Sequence, residues 1–91
     1  MGRETRLFKT EERKTRSDAG DFLHQLADKI SKGEVVLRRG NEEITLQLPH
    51  NIILEVQVED EDKGSRGTQH SLEVEIKWFD NGGPSGSLEL K

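Results

Sequence analysis

The sequence predicts a small α+β domain in which one amphipathic helix lies among antiparallel strands. Apolar residues recur every three to four positions between residues 17 and 32, which is the period of a helix. After residue 33 apolar and polar residues alternate, which is the period of strands with one buried face. The chain has 91 residues, enough for one domain. We therefore expect the order β-α-β-β-β-β, with the helix packed on one face of a mostly antiparallel sheet.

The first predicted element is a polar strand over residues 4–15, placed at an edge of the sheet. Its apolar residues are Leu7 and Phe8, and its many charges suit an edge position, where they discourage aggregation. Six basic and three acidic residues give residues 1–16 a charge of +3, so residues 17–91 carry −7 to reach the net −4. An acidic body argues against a broad phosphate-binding surface. Contact with nucleic acid through this basic segment is kept as a weaker alternative function.

The helix is predicted over residues 17–32. Ser17 can cap its first turn, because the hydroxyl accepts a hydrogen bond from a free amide. Gly33 suits the left-handed conformation that ends many helices. The apolar stripe comprises Ala19, Phe22, Leu23, Leu26, Ala27 and Ile30.

Four strands are predicted after the helix, joined as an antiparallel meander. Turn residues occur at 39–41 and 49–51, and the longest loop covers residues 60–68. The side chains predicted to face the helix are Val35, Leu37, Ile44, Leu46, Leu48, Ile52, Leu54, Val56, Val58, Leu72, Val74, Ile76 and Trp78. The domain is expected to span residues 4–79, and the Gly- and Ser-rich residues 80–91 are expected to form a flexible tail.

The opposite face of the last two strands is the candidate interaction face. It mixes charged residues with isolated apolar ones, a composition found at protein contacts. Its predicted members are Ile53, Glu55, Gln57, Glu73, Glu75, Lys77 and Phe79. We expect an unknown protein partner or a homodimer, bound through this face or through an edge strand.

The sequence offers no pattern typical of a catalytic, cofactor or metal site. Cysteine is absent, which excludes disulfides and thiolate ligands. His24, His50 and His70 do not have the spacing of a helical metal site, and the acidic residues 59–64 lack the glycine and glutamate positions of a calcium loop. We therefore predict that the protein is not an enzyme and needs no cofactor. The alternative is a small ligand-binding or hydrolytic protein that uses surface Glu and His side chains.

The compartment is also predicted from what the sequence lacks. It contains no apolar run long enough to cross a membrane and no apolar stretch behind its first residues. We expect a cytoplasmic protein with no membrane contact.

The order of these elements resembles the amphi-Trp domain, a prokaryotic family. The features that match are the strand before the helix, the start Ser17-Asp18-Ala19, the core Phe22-Leu23-X-X-Leu26-Ala27-Asp28, Gly33 before Val35, and the last strand Leu72-Glu73-Val74-Glu75-Ile76-Lys77-Trp78. The resemblance covers nearly the whole chain except its two ends. Because the family has no assigned activity, the resemblance implies no active site, cofactor or partner.

Overall fold

The described part of the protein, residues 2–80 of a computed structural model, contains one helix and four strands. The elements are α1 (Arg16–Lys32), β1 (Glu34–Arg39), β2 (Glu42–Gln47), β3 (Ile53–Asp62) and β4 (Thr68–Lys77). The α+β class and the order of one helix followed by four strands are confirmed. Contacts divide the chain into two units, Met1–Leu48 and Pro49–Lys91. The predicted flexible tail lies, apart from Asp80, outside the described residues.

The strand predicted over residues 4–15 is not formed. These residues have no regular secondary structure before the helix begins. The backbone carbonyl of Lys9 accepts a hydrogen bond from Arg39 Nη1 (3.3 Å), which is a side-chain contact and not a strand ladder. Leu7 and Phe8 are adjacent in sequence, so an extended chain would point them to opposite sides. The segment therefore lacks the row of apolar side chains on one side that a strand buries against a sheet.

Helix α1 begins one residue earlier than predicted and is capped by a different side chain. Thr15, not Ser17, is the N-cap: its hydroxyl accepts a hydrogen bond from the amide of Asp18 (3.0 Å). The C-terminal prediction is confirmed, because Gly33 has φ of 87° and its amide donates to the carbonyl of Ile30. A left-handed residue at this point turns the chain directly into β1.

The first unit packs α1 against the β1–β2 hairpin. Gly40 has φ of 59° in the two-residue turn, and the register opposes Val35 with Leu46 and Leu37 with Ile44. Val35 is the one apolar residue of the described chain that is buried, with 4% of its surface exposed. The large aliphatic residues of this unit that are half-buried are Leu26, Ile30, Leu37, Ile44, Leu46 and Leu48. Of the strand side chains predicted to face the helix, Val35 alone is buried within residues 2–80.

The four strands do not form one meander. Within residues 2–80, β1 pairs with β2 and β3 pairs with β4, giving two separate antiparallel sheets. The amide of Leu48 donates to the carbonyl of Gly33 (2.8 Å). Pro49, the next residue, cannot continue this backbone hydrogen bonding because it has no amide hydrogen. The β3–β4 strands are longer than predicted, since the expected loop over residues 60–68 is reduced to a short turn around Gly64–Arg66.

Candidate interaction surface

The β3–β4 hairpin places the predicted interaction residues on one face. Its register opposes Ile53 with Lys77, Glu55 with Glu75, and Gln57 with Glu73. Directly opposed residues of an antiparallel pair lie on the same side of the sheet. These six side chains therefore share one surface, which we call the polar face. Phe79 follows the end of β4 and is 51% exposed.

Charges on the polar face are largely paired within the hairpin. Glu55 and Glu75 are directly opposed, and Lys77 lies next to both, with Nζ 2.7 Å from Glu55 Oε1 and 3.8 Å from Glu75 Oε1. The hydrogen bond to Glu55 and the charges of both carboxylates raise the pKa of Lys77 above its ordinary value. Gln57 Nε2 donates to Glu73 Oε2 at 3.4 Å. Such pairing reduces the electrostatic gain that another protein could obtain here.

The other side of the same hairpin is aliphatic and exposed. We call it the apolar face; its register opposes Leu54 with Ile76, Val56 with Val74, and Val58 with Leu72. The exposed fractions are Leu54 62%, Val56 59%, Val58 74%, Leu72 71% and Val74 61%. Ile76 is half-buried, as is Trp78 just beyond the strand.

Sequence reasoning identified this aliphatic stripe but interpreted it as buried core. The alternation was read correctly, because every residue of the apolar face was predicted to lie on one side. The prediction of burial is wrong for five of these side chains, which are exposed. A period of two shows that a strand has an apolar side, but it carries no information on what covers that side.

Polar residues limit the apolar face at the turn end of the hairpin. Asp60 is opposed to His70, with Oδ1 and Nδ1 2.6 Å apart, and Asp62 is opposed to Thr68. Both positions continue the apolar-face register. The uncharged part of this face therefore ends at Val58 and Leu72.

The described residues were also compared with the arrangement that a metal site requires. Within residues 2–80, no group of three or more His, Asp or Glu side chains could hold a metal ion. A surface groove of about 550 Å³ lies beside the start of α1, and the residues lining it include Glu12, Lys14 and Phe22 but none of the three histidines. No helix of the described chain is long and apolar enough to span a membrane. The ligand-binding and nucleic-acid hypotheses stay predictions.

Comparison with protein families agrees with the pattern that ends in Trp78. The family model of the Amphi-Trp domain matches residues 1–91. The chain belongs to the Amphi-Trp domain family. In this Amphi-Trp domain the amphipathic strand before the tryptophan is β4, which supplies half of both hairpin faces. No curated protein and no solved structure shows significant similarity to the chain.

Proposed function

We propose that this Amphi-Trp domain is a protein-interaction module that self-associates through its β3–β4 hairpin. The observation that carries the proposal is the apolar face, where five large aliphatic side chains of one two-stranded sheet are 59–74% exposed. A two-stranded sheet is at best marginally stable in water unless it packs on another surface. Contiguous exposed apolar patches of this kind are typical of interaction sites.

The proposed occupant is a second copy of the chain. Between Leu54 and Val58 on β3, and between Leu72 and Ile76 on β4, the apolar face has no charged side chain. Such a uniform surface matches a copy of itself, as a two-fold interface requires. The polar face supports this choice indirectly, because its carboxylates are paired with side chains of the same hairpin.

The test is the mass of the full chain in solution as a function of concentration. We expect sedimentation equilibrium to show a monomer–dimer transition between about 10 μM and about 1 mM, the range of a weak specific contact. Replacing the central opposed pair, Val56→Gln with Val74→Gln, should keep the chain monomeric without changing its net charge. These two side chains are 59% and 61% exposed, so the hairpin itself should still fold.

The matched control changes the polar face of the same hairpin. Glu73→Gln with Glu75→Gln should leave the dissociation constant within about three-fold of the unmodified chain. Loss of association in this control alone would place the contact on the polar face instead. An unmodified chain that stays monomeric over the whole range, with native circular dichroism, would contradict self-association.

A further inference from the structure

The outer edge of β3 is a second unpartnered feature of the hairpin. Within residues 2–80, β3 has a strand neighbour on one side, β4. Because alternate residues of a strand direct their backbone groups to opposite sides, the other edge of Ile53–Asp62 carries donors and acceptors that no strand of residues 2–80 pairs with. A strand of a second copy can satisfy them.

We infer that two copies join edge to edge through β3, antiparallel, with Val56 opposite Val56 of the second copy. This pairing, which rests on the proposed self-association, gives a four-stranded sheet whose two apolar faces lie on the same side. It extends two marginal two-stranded sheets into one four-stranded sheet and sets Leu54, Val56 and Val58 of each copy against those of the other, which covers part of the apolar face.

The charges along β3 select this register. With Val56 at the centre, Leu54 faces Val58 of the other copy, Glu55 faces Gln57, and Ile53 faces Glu59. The pairing therefore opposes no two like charges and places no carboxylate against an aliphatic residue of the apolar face. The Gln57 amide of each copy can donate a hydrogen bond to the Glu55 carboxylate of the other, which gives one such bond on each side of the two-fold axis.

Three neighbouring registers that keep the apolar faces together oppose carboxylates. If Glu55 lies opposite Glu55 of the other copy, these two carboxylates repel each other. If Gln57 lies opposite itself, Glu55 of each copy faces Glu59 of the other. A centre at Val58 opposes Glu55 with Glu61 and sets Val56 against Asp60. Like charges directly opposite one another destabilise a strand pair. The Val56-centred register is thus favoured over these three by at least one repulsive pair. A centre at Leu54 opposes no carboxylates but pairs only residues 53–55 of β3, against residues 53–59 in the Val56-centred register.

The edge of β4 is less suitable. Self-pairing centred on Val74 opposes Glu73 with Glu75 twice, and a centre at Glu73 or Glu75 opposes that residue with itself. A centre at Leu72 avoids this repulsion but sets His70 against Val74. A centre at Ile76 sets Glu75 against Lys77 but pairs only residues 75–77 of β4, against residues 53–59 of β3. The choice of β3 over β4 therefore follows from the positions of the glutamates and from the length of the pairing.

The edges of the other hairpin are also less suitable. Strands β1 and β2 have six residues each, against ten in β3. The side chain of Arg39 at the end of β1 already bonds the Lys9 carbonyl. A contact there would also involve Val35 and Leu37, which are buried or half-buried in their own unit.

Disulfide trapping in the full chain tests the register, because the natural sequence contains no cysteine. Opposed residues of an antiparallel pair have Cα atoms about 4.5–5.5 Å apart, which a disulfide can bridge. Val56→Cys should give a covalent dimer under mild oxidation. The matched control is Val74→Cys, on the same face with 61% exposure against 59%, which should stay largely uncoupled. Chains carrying Glu55→Cys and Gln57→Cys should couple to each other and much less to themselves.

The outcomes separate the register from the proposed function. A chain that dimerises by mass, but whose Val56→Cys form couples no faster than Val74→Cys, would overturn the β3 register and leave self-association standing. Equal and efficient coupling of both cysteines would indicate face-to-face packing and also overturn it. A chain that is monomeric at all concentrations would overturn both.

Charge changes at Gln57 give a second measurement without cysteine. In the inferred register, Gln57→Lys creates two attractive contacts with Glu55 of the other copy, and Gln57→Glu creates two repulsive ones. We expect the dissociation constants of the two variants to differ by about ten-fold or more. Because Gln57 also bonds Glu73 within the hairpin, both variants should be compared in a Glu73→Gln background. Equal dissociation constants would contradict the register.

Discussion

At the scale of single residues, the start of helix α1 shows how a local choice depends on backbone geometry. Thr15 and Ser17 both carry a hydroxyl that can cap a helix, and both precede an apolar stripe. Thr15 is extended, with φ of −73° and ψ of 158°, so its hydroxyl reaches the amide of Asp18. Ser17 lies inside the first turn, where its side chain cannot perform this role.

Removing each of these two hydroxyls in turn shows which one caps the helix. Thr15→Ala should lower the free energy of unfolding by about 1 kcal/mol, because the amide of Asp18 loses its acceptor. Ser17→Ala, the control, should change it by less than about 0.5 kcal/mol, since alanine favours a helix interior. Urea denaturation followed by circular dichroism measures both. A larger loss in Ser17→Ala than in Thr15→Ala would contradict the assignment.

At the scale of elements, the two hairpins share one sequence pattern but differ in burial. Val35 on β1 is 4% exposed, whereas Val56 on β3 is 59% exposed. Both residues follow a glutamate and lie opposite an aliphatic residue of the paired strand. The difference arises because α1 packs against β1, so that the same amphipathic strand becomes core in one hairpin and surface in the other.

Truncation of valines within β1 measures how much of the stability of the first unit depends on its small core. Val35→Ala should cost about 2 kcal/mol, because it removes buried methyl groups and leaves a cavity. Val36→Ala, on the opposite face and 48% exposed, should cost less than about 1 kcal/mol. Thermal or urea unfolding of the two variants provides the comparison. Similar losses in both would mean that β1 buries neither face preferentially.

At the scale of the whole molecule, net charge opposes self-association. Each chain carries −4, and the glutamates of β3 and β4 bring acidic residues close to the proposed contact. Two such chains repel one another over distances that salt screens. The inferred β3 pairing contains no ion pair between copies that salt could weaken.

Added salt should therefore strengthen the dimer. Between about 20 mM and about 200 mM sodium chloride, we expect the dissociation constant to fall several-fold as the Debye length shortens from about 20 Å to about 7 Å. Sedimentation equilibrium at both salt concentrations measures this shift. A dissociation constant that rises with salt would instead indicate a contact between opposite charges, such as the basic residues 2–16 with an acidic surface.

The sequence by itself determined the class, the helix and the two sides of each strand. The alternation of Leu54, Val56 and Val58 with Glu55 and Gln57 defines both hairpin faces, because neighbouring side chains of any strand point to opposite sides. The end of α1 at Gly33 was equally predictable, since few residues other than glycine adopt positive φ without strain. These features depend on residues close in sequence.

Only the tertiary structure decided which strands pair and which apolar residues are covered. Residues 4–15 did not become a strand, and β2 did not pair with β3 in the described chain. Strand pairing needs hydrogen-bonding partners that are distant in sequence, and burial needs a second surface. For this reason the polar side of β3 and β4 could be recognised as a face from sequence, whereas the exposure of its aliphatic side could not.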